Sequence, residues 1–234
     1  MKKLFLVVAG LLAAVVINAQ TIEEIVKKYS DANGLDKLKN VSTIKITGKM
    51  SSMGMEMPLE VYMKNPDKIK MVYSFSGQNM VTVFDGEKGY MINPMMGSSQ
   101  PVALTPEQTR QIQENNTFRN QLLDYLNKGN LTFEGEEAVT GKPAYKLRAV
   151  VEGAGPVYMF IDKGSFLLVK SSATVEQMGT KMNVETFMTD YSSYDGIFMP
   201  KKTTTTANGM EAAVITYDKI ELNLPLEDSV FAVK

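Results

Sequence analysis

The sequence predicts a mainly antiparallel β fold with a few helices, on three observations. Apolar and polar residues alternate with period two from Ile44 to Met63 and again from Ile69 to Phe75. Turn dipeptides (Asp85-Gly86, Lys163-Gly164, Asp195-Gly196 and Asn208-Gly209) separate strand-like runs at hairpin distances. Only two stretches, opening at Thr21 and Thr105, carry helical spacing. Regular hairpin spacing gives a meander rather than parallel βαβ units.

Residues 1–19 read as an export signal. Lys2 and Lys3 form a charged start, residues 4–17 are apolar, and Ile17-Asn18-Ala19 is a cleavage site before Gln20. The run is too short for a comfortable transmembrane span, and no further apolar run follows it. No cysteine stands at the cleavage site, so the mature chain is expected to be soluble, exported and without a lipid anchor of its own.

Thr21 and Glu24 have capping-box spacing, and Ile22, Ile25, Val26 and Tyr29 give the first helix one apolar face, suited to core packing. Gly34 ends it, and Leu35, Leu38 and Val41 continue onto a short further turn. Ile44, Ile46, Gly48 and Met50 then share one face of a strand. A turn is expected at Ser51-Ser52, after which Met53, Met55, Met57, Leu59, Val61 and Met63 share a face. Lys64-Asn65-Pro66-Asp67 makes a second turn, because Pro66 cannot donate a ladder hydrogen bond. Ile69, Met71, Tyr73 and Phe75 face one way on the next strand, and Asp85-Gly86 leads into a strand that stops at Asn93-Pro94.

Ten of the seventeen methionines lie between Met50 and Met96. Methionine is unbranched and polarizable, so it fills irregular apolar volume. Two readings stand side by side: a deformable lining for a flexible acyl chain, or a core that happens to be methionine-rich. Met178, Met182, Met188, Met199 and Met210 lie outside the cluster and weaken the first.

Residues 94–101 form a loop, with Met95 and Met96 in a Gly/Ser setting. A single long helix is expected over residues 105–127, opened by Thr105, Pro106 and Gln108 and stopped by Gly129. Its first half is polar, and its second half carries Phe118, Leu122, Leu123, Tyr125 and Leu126. From Leu131 onward only strands and turns are expected, with turns at Gly141, Gly153-Ala154-Gly155-Pro156, Lys163-Gly164, Gly179, Asp195-Gly196 and Asn208-Gly209. No repeat or low-complexity linker interrupts residues 20–234, which reads as one domain.

Composition excludes several chemistries. Without Lys2 and Lys3 the chain keeps 23 basic and 26 acidic residues, a net charge of −3, so nothing argues for nucleic acid or anionic lipid surfaces. With no cysteine there is neither a disulfide nor a thiolate nucleophile, and with no histidine there is no Ser-His-Asp triad and no histidine-bearing zinc site. Asp85, Asp162, Asp190 and Asp195 could supply paired carboxylates for a hydrolase, but turns and a strand end explain Asp85, Asp195 and Asp162. No catalytic residue, metal ligand or cofactor is therefore expected. A transmembrane barrel fits the alternation weakly and the helices poorly.

Several of these motifs, in this order, resemble the periplasmic outer-membrane lipoprotein carriers of the LolA/LolB-like superfamily. They are Lys64-Asn65-Pro66, Asp85-Gly86, Asn93-Pro94, the run from Tyr158 to Asp162, Asp195 through Pro200, and Leu226 through Phe231. The resemblance spans most of residues 30–231 and implies an open, strongly curved antiparallel half-barrel wrapped around helices. It implies a concave face that holds acyl chains of a lipoprotein or lipid, here Met53, Met55, Met57, Leu59, Val61, Met63, Ile69, Met71, Tyr73 and Phe75. The split helix would then plug the mouth through Phe118, Leu122 and Leu126, although ordinary packing on a sheet face fits the same spacing. It further implies a monomeric periplasmic transport chaperone, passing cargo from an inner-membrane donor to an outer-membrane acceptor. Such carriers place an arginine just before the proline to tether the lid. Asn65 stands there with Lys64 beside it, so a lid here would be held mainly by packing. A periplasmic binder of apolar ligands with no transfer role is the alternative.

Overall fold

The computed structural model describes residues 20–114, 117–150, 155–177 and 179–232. The expected export signal and the Gly153-Ala154 part of one expected turn lie outside the described residues. Helix α1 (Ile22–Asn33) is followed by a 3₁₀ turn (Leu35–Asn40) and six strands: β1 (Thr43–Ser52), β2 (Met55–Lys64), β3 (Lys68–Phe75), β4 (Gln78–Phe84), β5 (Gly89–Asn93) and β6 (Ser98–Ala103). Helices α2 (Pro106–Glu114) and α3 (Gln121–Asn127) lead to β7 (Leu131–Val139), β8 (Lys142–Val150), β9 (Pro156–Asp162) and β10 (Leu168–Gln177). Strands β11 (Thr180–Tyr194), β12 (Ile197–Ala207) and β13 (Met210–Leu222) precede a last 3₁₀ turn, Asp228–Phe231.

All thirteen strands form one antiparallel sheet in the order β6-β5-β4-β3-β2-β1-β13-β12-β11-β10-β9-β8-β7. The chain walks outward from β1 to one edge, crosses through α2 and α3, and walks back from the other edge. The long-range seam is β1 against β13, with Ile44 opposite Leu222 and Met50 opposite Ile215. β6 and β7 do not pair, so the sheet is open. α1 touches β12 near the middle of the sheet, and α3 touches both α1 and the edge strand β7. Helices that reach from middle to edge on one face require the sheet to curl around them.

Local chemistry explains the element ends. Thr21 and Glu24 form the expected capping box, each side chain bonding the other's backbone N–H at 3.3 Å. Gly34 ends α1 at φ 65, and a Cβ there would lie 2.0 Å from the Gly196 carbonyl oxygen. Glycine is thus required twice, by positive φ and by close docking of α1 on the β11–β12 turn. Gly48 is equally constrained. It faces Tyr217 beside a bulge, where a Cβ would meet the Thr216 carbonyl oxygen at 2.2 Å.

Four expectations need correction. Residues 94–101, expected as a loop, form a 3₁₀ turn (Pro94–Met96) and the start of β6. The β1–β2 turn is Met53-Gly54, both at positive φ, not Ser51-Ser52, which stay paired in the ladder. The Asp85-Gly86 turn is a longer loop in which Asp85 accepts from the Glu87 and Lys88 N–H groups. The single helix over residues 105–127 is two helices with non-helical residues 117–120 before the second. Asn120 starts α3 anew by accepting from the Leu123 N–H at 3.2 Å, and Arg119 pairs with Asp124 at 2.7 Å.

The concave face holds two apolar clusters. One joins Ile25 and Val26 of α1 and Leu122 of α3 to Leu131, Leu147, Met159 and Ile161 of the sheet. The other joins Leu38 and Val41 to Ile44, Ile46, Leu59, Val61, Met63, Ile197 and Ile220. Among the described residues no helix covers Phe160 on the convex face, yet it is 2% exposed. Lys170 and Lys146 lie over its ring at 4.7 and 5.7 Å, so their stems seal it while their heads meet Glu185 and Glu137.

Candidate functional site on the concave face

The alternation of β2 turns Met57, Leu59, Val61 and Met63 inward, and all four are buried. Ladder pairing sets Ile69 beside Met63, Met71 beside Val61 and Tyr73 beside Leu59, so β3 extends the same stripe. Ile69, Met71, Tyr73 and Phe75 are only half-buried. The stripe thus grades from a sealed floor at β2 to a partly open wall at β3.

Not every residue expected in this stripe lies in it. Met53 sits on the hairpin turn and is 91% exposed, because the turn falls two residues later than expected. Met55 is 40% exposed at the end of β2. The three helix residues also part company. Phe118 lies outside helix and packs on the β1–β3 cluster, whereas Leu122 and Leu126 join α1 in the other. They do not form one plug face. Phe118 closes over the stripe with Ile112 of α2 beside it, and the space left among them, Met63, Asp67 and Ile69 is about 10 Å³, the least that admits one water.

Among the described residues, Lys64 and Asn65 make their hydrogen bonds away from the α2–α3 segment. Lys64 donates to the Leu226 carbonyl at 2.9 Å and to Asp228 at 2.8 Å, and Asn65 donates to the Val41 carbonyl at 3.1 Å. Lys68 also pairs with Asp228, and Lys70 donates to the Val230 carbonyl. These lysines strap the C-terminal segment down and bury Phe231 to 1% exposure, a role the sequence did not reveal. The two lysines hold the Asp228 carboxyl below the usual range. A shallow recess of about 510 Å³ beside the strap is lined by Lys68, Asp85, Glu87, Asp228 and Phe231.

The four aspartates considered for chemistry all sit at turns or irregular backbone. The Lys88 N–H holds the Asp85 carboxyl down, desolvation partly opposes it, and the Glu87 N–H adds to the lowering. Desolvation pushes Asp162 up, but bonds from Ser165 and Gly164 together outweigh it and hold it low. Asp190 and Asp195 have positive φ, and both are exposed. Among the described residues, no group of three or more acidic side chains is placed to hold a metal ion.

Burial pushes the Tyr73 and Tyr217 hydroxyls up, and each is near the other on the concave face. Thr203 bonds the Tyr217 hydroxyl, and the Thr186 and Thr205 hydroxyl oxygens lie 3.2 Å apart. Strand alternation places these hydroxyls on the inner face, but as polar residues they carry no apolar signal that marks that face in the sequence.

No protein-family model and no curated protein matches the chain. Solved structures do match it in fold. One is described as an outer membrane lipoprotein-sorting protein domain from Vibrio parahaemolyticus, at 10% identity and TM-score 0.62, covering 90% of this chain and 97% of that one. Another is a LolA superfamily protein from Nitrosomonas europaea, at 14% identity and TM-score 0.58, covering 92% and 98%. A third is a DUF1329 family protein from Desulfovibrio piger, at 13% identity and TM-score 0.60, covering 89% and 97%. The open thirteen-stranded sheet around its helices is therefore a LolA/LolB-like fold.

Proposed function

We propose that this chain, with its LolA/LolB-like fold, is an exported periplasmic carrier that holds acyl chains of lipoproteins or lipids on its concave face. One observation carries the proposal. The methionine-rich stripe of β2 and β3 is closed at its β3 side by Phe118 from a non-helical segment, with Ile112 near the end of α2 beside it, while the β3 wall stays half-buried. Moving that segment aside uncovers a continuous apolar surface. The cost is at most the burial of Phe118 and Ile112, about 1.5–3 kcal/mol each, and about four to eight methylenes of cargo at about 0.8 kcal/mol each offset it.

Other features agree with this role. Among the described residues, no helix is long and apolar enough to cross a membrane. The two sheet edges are guarded against pairing. Pro101 interrupts β6, and β7 carries Gly135 at positive φ among Glu134, Glu136 and Glu137, which suits a monomer. The function needs no catalytic residue, metal or cofactor. The full role is lipoprotein sorting, with an inner-membrane donor and an outer-membrane acceptor. A second reading, a binder with no transfer role, draws on Lys64 and Asn65, which hold the C-terminal strap and the start of β1 rather than a lid.

The test is native mass spectrometry of the protein released from cells without detergent, followed by titration with a fluorescent acyl probe. Carriage predicts a co-purifying acylated species and saturable, one-to-one probe binding. Absence of both contradicts it. Transfer of bound lipoprotein to acceptor membranes then separates sorting from simple binding.

A further inference from the structure

We propose that Ser171, Thr186, Thr203 and Thr205, on the concave face of β10–β12, form a subsite for the ester or amide linkage of an acyl-bearing ligand. The proposal rests on the carrier function above and specifies the ligand's chemistry.

Strand register brings these residues together. Ser171 stands opposite Thr186, and Thr186 opposite Thr205, so three hydroxyls cross three strands in one rung. Thr203 stands one inward position along β12. The face is set by the ladder, because Ser171 lies opposite the core residue Met159, and Thr203 lies opposite Ile215 of the other cluster. All four hydroxyl residues are half-buried.

The patch is a polar island in an apolar surface. Along β11, Val184 and Met188 flank Thr186 on the same face. The neighbouring rung continues from Thr203 through Ile215 and Met50 to Met57. It therefore joins the hydroxyls to the methionine stripe across three strand spacings, roughly 14 Å.

Hydrogen-bond accounting gives the ligand class. Thr186 and Thr205 share one hydrogen bond, which occupies one of their two hydroxyl protons and leaves the other free to donate. On an open face that donor is left to solvent. A hydrocarbon chain laid across the patch strips the water and returns nothing, whereas a carbonyl oxygen accepts the proton. The four side chains carry no charge, so they suit a neutral ester or amide better than a bare carboxylate. Acyl chains would then lie on the β1–β3 stripe, with their linkage on the β10–β12 hydroxyls.

The test compares two probes of equal chain length on the full mature chain: a fluorescent diacylglycerol, and a fluorescent alkane without carbonyls. The variants are Thr186→Val with Thr205→Val, each single change, and Thr186→Ser. Valine keeps the shape of threonine and removes the hydroxyl, and serine keeps the hydroxyl. We expect the double valine variant to bind the diacylglycerol about tenfold more weakly, with alkane affinity unchanged or higher. Thr186→Ser should stay near wild type. If the double variant melts early, the single changes carry the comparison with smaller shifts in the same direction. Equal changes for both probes, or no change for either, overturn the subsite while leaving the carrier function standing. Failure of wild type to bind either probe overturns both.

Discussion

The two apolar clusters share one concave face but are sealed in different ways. Around Leu147 and Ile161, the chain supplies two regular helices, and Ile25, Val26 and Leu122 are at most 1% exposed. Around Val61 and Met71, it supplies Leu38 and Val41 from a 3₁₀ turn and its end, and Phe118 from a non-helical segment beside Ile112, and the β3 wall stays half-buried. The first is a permanent core that fixes the curvature. The second is a surface whose cover can be exchanged. Apolar composition alone does not separate the two. The regularity of the covering backbone does, because a capped helix docked along its length leaves only by unfolding, whereas a turn can move by itself.

This contrast can be broken or sharpened by substitution. Leu122→Ala, in the permanent core, should cost roughly 3 kcal/mol of stability, read as a lower denaturation midpoint with unchanged slope. A loss below about 1 kcal/mol would show that α3 is no more fixed than the turn before it. Met71→Glu, on the open wall, should leave the fold intact and weaken acyl-probe binding by at least tenfold, because the bound chain would desolvate a carboxylate. Phe118→Ala should cost only about 1–2 kcal/mol, well under a full core phenylalanine. Hydrogen exchange should then accelerate through residues 117–120 but not through α1. If amides in α1 and in residues 117–120 exchange only together, with global unfolding, the contrast between the clusters fails.

The smallest expected effect concerns acid. The Asp162 carboxyl titrates lower in the fold than in the unfolded chain, so its contribution is present above the unfolded pKa and lost as pH falls through the folded value. Asp162→Asn should therefore lose a few tenths of a kcal/mol at neutral pH and show a shallower fall in stability below about pH 4. Identical acid profiles for variant and wild type would assign the turn's stability to backbone geometry instead.

Much of the fold was legible because its signals are local. The Thr21 capping box, the stop at Gly34 and the Asp195-Gly196 and Asn208-Gly209 turns act within a few residues, and the structure keeps them. The LolA/LolB-like half-barrel was legible through motif order. What failed depended on competition or distance. Met53-Gly54 took the hairpin turn because Gly54 accepts positive φ more readily than Ser52 does. Asn120 won a new helix start inside a stretch that reads as continuous helical spacing. The C-terminal strap joins Lys64 to residues more than 160 positions later, and periodicity carries no information at that range. Within the site, the β2 and β3 stripe was readable from alternation. The division of Phe118 from Leu122 was not, since a helical wheel places them on one face.

The most direct test of the central claim is photocrosslinking with a diazirine-bearing fatty acyl chain, followed by peptide mapping. Carriage on the open wall predicts labels concentrated on β2 and β3, at Met63, Met71 and Tyr73, and on Phe118, with labelling competed away by unlabelled acyl ligand. Labels spread over the convex face at Phe198 or Tyr158, or labelling that competitor leaves unchanged, would contradict it.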